Sequence, residues 1–221
     1  MKLYYEPLGL EITADEGQAV VLQIESEHVM REFMHSLWKQ ISGGEGNIVI
    51  YDDKVVTIVK TAEMITNIFD IDINNKKIIS RIYRELEDIA RTELIGKTNQ
   101  FQSDAVLFIE NVIEKCQYQI DFDTSLDFAG LFKILNLHLR QDYDTVLENF
   151  VEYLKLAHKV CGINYFFTYH LKEILSLDEL KSLYEMCSYE KIYLFLLESC
   201  NTKKVDENEK TIVVDKDLCI I

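Results

Sequence analysis

The chain has 221 residues, a formal net charge of −15 and hydrophobic residues at 48% of its positions. That length holds one large domain or a domain with a subdomain, and 12 Tyr with 11 Phe exclude a disordered chain. The acidic balance counts against nucleic acid as a partner, because phosphate binding rests on Lys and Arg; a local basic patch stays compatible with it where the acids are remote or metal-neutralised.

The first elements read as strands. Leu3 to Tyr5 is short, Leu8 to Ile12 alternates, and Ala19 to Ile24 is a nearly continuous apolar run of the kind covered on both faces. A helix is predicted from Glu27 to Ile41 with Ser26 as N-cap. Val29, Phe33, Leu37 and Ile41 form its apolar stripe, and His28 and His35 share another face. Ser42 to Asn47 holds the only glycine cluster. Ile48 to Tyr51, a turn at Asp52-Asp53 and Val55 to Val59 read as a hairpin.

The middle reads as helical: Thr61 to Phe69, a long amphipathic helix marked by Ile78, Ile82, Tyr83, Leu86 and Ile89, then Ala105 to Tyr118, Leu126 to Leu135 and Val146 to Val160. Thr145-x-x-Glu148 is a capping box for the last of these. Ile163 to Thr168 is a buried-type strand, Ser176-x-x-Glu179 opens a helix to about Cys187, and Lys191 to Leu197 is a second apolar strand. This is a β-α-β unit with parallel strands. Lys203 to Lys210 reads as a polar loop, and Thr211 to Val214 and Leu218 to Ile221 as last short strands, so that N- and C-terminal strands share one sheet.

No intact catalytic motif is present. Gly96-Lys97-Thr98 ends like a phosphate-binding loop, but Arg91 stands where the first glycine belongs and a helix precedes it, so Gly96 reads as a helix C-cap. No G-x-S-x-G occurs. Cys116, Cys161, Cys187, Cys200 and Cys219 form no zinc-type pair, which fits free thiols in a reducing cytosol. The N-terminus has no signal-peptide h-region, and no apolar run approaches the ~20 residues that span a bilayer. The expectation is a cytoplasmic protein with no membrane segment.

Acidic residues carry the strongest chemical signal. Glu110, Glu114, Asp121, Asp123 and Asp127 fall at a helix end and the adjoining loop, where hard oxygen ligands suit Ca²⁺. Equally, they read as the solvated face of an acidic chain, or, in a rival reading, Asp121 and Asp123 serve a metal-dependent nuclease or phosphohydrolase. The basic candidates are Lys54 and Lys60, flanking the second arm of the hairpin, and Lys77, Arg81 and Arg84, spaced along one face of the long helix.

In its order of elements the chain resembles the accessory adaptation protein family of type II-A CRISPR loci. The resemblance rests on the strands ending in Ala19 to Ile24, on Tyr51-Asp52-Asp53-Lys54, on Glu63-Met64 leading into Phe69 to Asn74, and on Ile120 to Asp123. It continues through Leu131 to Leu137 and Asp144-Thr145-Val146 to Leu194 to Glu198 and Asp215-Lys216-Asp217. It implies a degenerate P-loop NTPase (RecA-like) α/β head over 1–72 and 161–221, with an inserted helical leg over 73–160. It further implies a non-catalytic homotetrameric ring that binds double-stranded DNA ends in spacer acquisition, held by Ca²⁺ and working with the CRISPR integrase complex and the effector nuclease. Glu114, Asp121 and Asp123, with Glu110 and Asp127, fall in that family's metal region, and Lys54 and Lys60 in its lysine-bearing hairpin. The hairpin here carries fewer lysines than the family pattern, and the Ser42 to Asn47 loop departs from it.

Overall fold

The computed structural model describes residues 1–199, 204–205 and 209–221. Cys200, and positions 203 and 206–208 of the expected polar loop, lie outside the described residues. By the grouping of its contacts the chain divides into two compact units, Met1–Ile73 with Gln141–Ile221, and Asn74–Arg140.

The first unit is α/β. Strands β1 (Lys2–Tyr5), β2 (Leu10–Thr13), β4 (Ile48–Asp52) and β5 (Lys54–Val55) make an antiparallel sheet in the order β2-β1-β4-β5. Alternation decides its faces: Leu3, Tyr5, Leu10, Ile12, Ile48 and Ile50 point into the core while their neighbours meet solvent. Strands β3 (Ala19–Ile24), β6 (Ala62–Ile65), β7 (Tyr165–Tyr169), β8 (Tyr193–Glu198) and β9 (Lys210–Val214) make a parallel sheet in the order β6-β7-β8-β3-β9. β3 and β8 are buried along their whole length, as their unbroken apolar runs require.

Helix α1 (Glu27–Ile41) follows β3 and buries Met30, Phe33 and Leu37 in the core. Ser26 occupies the N-cap position of α1 without a side-chain capping bond. Helices α6 (Val146–Cys161) and α7 (Leu177–Glu190) begin with the two capping boxes read from sequence, both fully formed.

Several expectations are corrected. The N-terminal strands do not join one sheet with the C-terminal ones: β3 does, but β1 and β2 pair with the hairpin instead. Thr61 to Phe69 is not a helix. It gives β6 and a 3-10 turn, Ile68–Asp70, because β7 offers Ala62 to Ile65 a parallel partner from Tyr165 to Thr168. The hairpin's second arm is only Lys54–Val55; a short helix α2 (Ile58–Thr61) takes over, so Lys60 lies on a helix. Leu218 to Ile221 contributes one isolated bridge, Val214 to Ile220, rather than a strand. The helical insertion ends at Arg140, not 160, because α6 groups with the sheets. Its Phe150, Leu154 and Ala157 are buried, and the Asn149 amide donates to the Ile71 carbonyl at 3.2 Å.

The second unit holds α3 (Lys76–Thr92), α4 (Ile95–Ile113) and α5 (Phe128–Ile134). The Asn74 side chain closes it, accepting from Leu139 N–H at 2.7 Å and donating to the Leu139 carbonyl at 3.1 Å. Gly96 is not a C-cap. It is the second residue of α4, which follows α3 after a link of two residues, Glu93 and Leu94.

Candidate functional site

The candidate DNA-contacting lysines are placed by the hairpin and the step after it. Asp53, in left-handed conformation (φ 55°), turns β4 back on itself, and Val56 N–H donates to the Ile50 carbonyl at 2.8 Å. Tyr165 of β7 donates to Asp52 Oδ2 at 3.0 Å and so pins the turn to the parallel sheet. Burial and the Asp52 carboxylate hold the Tyr165 phenol well above its usual pKa. Lys54 and Lys60 emerge exposed at either end of this segment, and among the described residues neither enters an ion pair. That leaves both ammonium groups available to phosphate.

In the helical unit, Lys77, Arg81 and Arg84 are exposed on α3, whose first turn is capped by Asn75, accepting from the N–H groups of Lys77 and Ile78. Arg91, further along the helix, is spent on Glu87 at 2.7 Å.

The acidic candidates do not converge. Glu110 lies in the last turn of α4, Glu114 is its C-cap residue, Asp121 and Asp123 are in the irregular segment that follows, and Asp127 is the N-cap of α5. All five are exposed. Asp127 is folded over its own helix: a Cβ on Gly130 would stand 2.5 Å from Asp127 Oδ2. Among the described residues no three His, Cys, Asp or Glu side chains gather closely enough to hold a metal ion. Calcium takes six to eight oxygens, so the carboxylates of one chain do not fit it, and Asp121 and Asp123 gain no third ligand for metal-assisted hydrolysis.

A polar cluster at the carboxyl ends of β7 and β8 was not legible in the sequence. His170, in left-handed conformation, stacks on Tyr169 and shares a 2.9 Å hydrogen bond with Ser199. Glu198 is fully buried; Lys172 N–H donates to its Oε1, while its Oε2 has no partner. Burial raises the pKa of this carboxyl. Beside it Lys172 and Glu209 form a buried ion pair at 2.7 Å, completed by the Tyr184 hydroxyl at 3.0 Å. Sequence offered one signal only, a carboxylate closing the run Leu194 to Leu197.

A cavity of about 860 Å³ opens at the same edge of the sheet, lined by Glu25, Glu27, Arg31, Tyr169, Ser199 and Lys216 among others. Ligands of open α/β sheets bind at this edge. Here the link from β3 to α1 is only Glu25-Ser26, with no glycine to form an amide nest and with carboxylates where a phosphate would lie. The other phosphate-loop fragment is in the first turn of α4, where Thr98 Oγ1 already donates to the Ala90 carbonyl at 2.6 Å. Among the described residues no helix is long and apolar enough to cross a membrane.

No curated protein matches the chain. A family model, that of the CRISPR-associated protein family Cas_Csn2, matches residues 40–218, and the chain belongs to that family.

Proposed function

We propose that this CRISPR-associated chain is a non-catalytic, sequence-independent binder of double-stranded DNA ends, acting as a homotetrameric ring in spacer acquisition. Its α/β unit is then a degenerate P-loop (RecA-like) head and its helical unit a leg. The observation that carries the reading is the exposure of Lys54 and Lys60 without acidic partners among the described residues, in a protein of the CRISPR-associated family. An acidic chain that leaves cations unneutralised has them available for phosphate. Lys77, Arg81 and Arg84 are secondary contacts.

Assembly is supported by the helical unit itself. α4 buries none of its residues fully, and Phe108, Ile134 and Leu135 are 66%, 82% and 63% exposed. Apolar surface of this extent marks a protein interface, and a second copy is the partner this reading gives it. Calcium enters only between copies, since the carboxylates of one chain do not converge among the described residues. The CRISPR integrase complex and the effector nuclease of the same locus are the partners that this reading assigns to the DNA-loaded ring.

The test compares a linear duplex with its relaxed closed circle in a mobility-shift assay at two salt concentrations. A threaded ring retards the linear form, loses it steeply with salt, and leaves the circle free. Equal retardation of both forms sinks the ring, and retardation of neither sinks the DNA reading.

A further inference from the structure

Trp38 is the single tryptophan of the chain. It is 55% exposed on α1, although indole is among the side chains that most favour burial or an interface. Its ring stacks on His35, with centroids 6.2 Å apart and planes at 18°. Arg31, His35, Trp38 and Lys39 fall at i, i+4, i+7 and i+8, one face of the helix, and all four are exposed.

We propose that this face of α1 is a DNA-contacting patch continuous with Lys60, in which Trp38 packs against the duplex while Arg31 and Lys39 bind phosphates. The inference rests on the DNA reading above and extends it to residues of α1.

Continuity follows from the glycine loop. A Cβ on Gly44 would stand 2.9 Å from Lys39 Cγ, and one on Gly43 would stand 3.9 Å from Val59 Cγ2, next to Lys60 in the chain. The loop is held against α1 by Gln40, which donates to the Ile48 carbonyl at 2.8 Å and accepts from Ile48 N–H at 3.1 Å. The Ser36 hydroxyl accepts from Asn47 N–H at 2.8 Å. A Cβ on Gly46 would stand 2.6 Å from Gln40 Cγ, so the glycines are what let the chain return this closely. Lys39, Gly44, Gly43, Val59 and Lys60 thus form one surface.

Charge selects the occupant. Acids outnumber Lys and Arg by 38 to 23 in this chain, yet among the described residues Arg31, Lys39 and Lys60 enter no ion pair. Arg31 contacts the His28 ring at 3.2 Å rather than a carboxylate. Glu27, exposed one turn before Arg31, and Glu32 flank the face, and Glu45 is exposed in the loop. A basic stripe that carries an exposed aromatic suits a polyanion with sugar and base surface to pack on.

The sole tryptophan makes the test direct. Trp38 emission is followed as a short linear duplex is titrated into the intact protein, alongside a mobility-shift assay, with acrylamide quenching before and after. The expected result is a saturable change in emission at the binding midpoint and loss of acrylamide access. The double variant Arg31→Gln/Lys39→Gln should lower the slope of log affinity against log salt by about two, with an unchanged melting curve. Binding in the mobility assay with unaltered Trp38 emission overturns this inference and leaves the DNA reading intact. No binding in the mobility assay overturns both. Emission that responds to protein concentration but not to DNA places Trp38 between copies and also overturns it.

Discussion

The Tyr165 hydroxyl donates to Asp52 Oδ2 at 3.0 Å, so one phenol of the parallel sheet anchors the turn of the antiparallel one. Tyr165→Phe keeps the ring stack on Tyr193 and removes that bond. The expected cost is about 1–2 kcal/mol, read as a lower melting temperature. Burial raises the folded-state pKa of this phenol, so stability is full below the ordinary tyrosine value of about 10 and is lost as pH rises above it. Thermal melts across that range should show a shallower alkaline loss for Tyr165→Phe, and identical slopes for parent and variant would refute the linkage.

Lys54 and Lys60 are the proposed phosphate contacts. The double variant Lys54→Ala/Lys60→Ala should weaken binding for every duplex sequence alike and reduce the salt slope by about two. Light scattering should find its assembly unchanged, because neither lysine belongs to the acidic segment. A double variant that binds as the parent does removes these residues from the interface.

Five carboxylates crowd the segment Glu110 to Asp127 without converging in one chain. If calcium bridges copies, light scattering should give a larger species with calcium than with chelator, and the difference should grow with protein concentration. A single unchanged mass under both conditions ends the calcium proposal.

Glu198 is a buried carboxyl with one unpartnered oxygen. Its raised pKa means that the folded state favours the protonated form. Stability from this group is therefore full below the ordinary glutamate value of about 4.3 and falls as pH rises through the folded-state pKa. Glu198→Gln, neutral and of the same shape, should be the more stable protein at pH 8 and should lose that part of the pH dependence. A variant that melts lower than the parent at pH 8 would show that the charged form is the one the site stabilises.

Mg-ATP should give no binding heat in calorimetric titration. The Glu25-Ser26 link supplies no amide nest, and Thr98 already donates to Ala90. Micromolar affinity would overturn this.

The sequence was most readable where one residue pattern had one outcome. Ala19 to Ile24 and Tyr193 to Glu198 are apolar runs too short for buried helices, and both became central parallel strands. Thr145 and Ser176 each found the glutamate three residues on. Ala62 to Ile65 was misread because four residues without alternation take their structure from a partner, and that partner, Tyr165 to Thr168, is about a hundred residues away. The acidic segment left more than one reading open for a related reason. Proximity in sequence is not convergence in space, and an irregular loop keeps Asp121 and Asp123 in solvent. The cluster around Glu198 was not legible because His170, Lys172 and Glu209 come together only once β7, β8, β3 and β9 lie in one sheet.

The Asn74 clamp on Leu139 bears on the order in which the chain folds. Pairing β6 with β7 requires closing a loop that contains the whole helical unit, and loop closure grows more costly as (3/2)RT ln n. With Asn74 bonded to Leu139, 65 positions on, that stretch acts as a single short link. The loop between Ile65 and Tyr165 then shrinks from about 100 residues to about 35, which lowers the closure cost by about 1 kcal/mol. The pairing of β6 with β7 thus spans a shorter effective loop once the helices have formed. Their early collapse would set the rate at which β6 joins, and slower folding would follow from removing the Asn74 clamp.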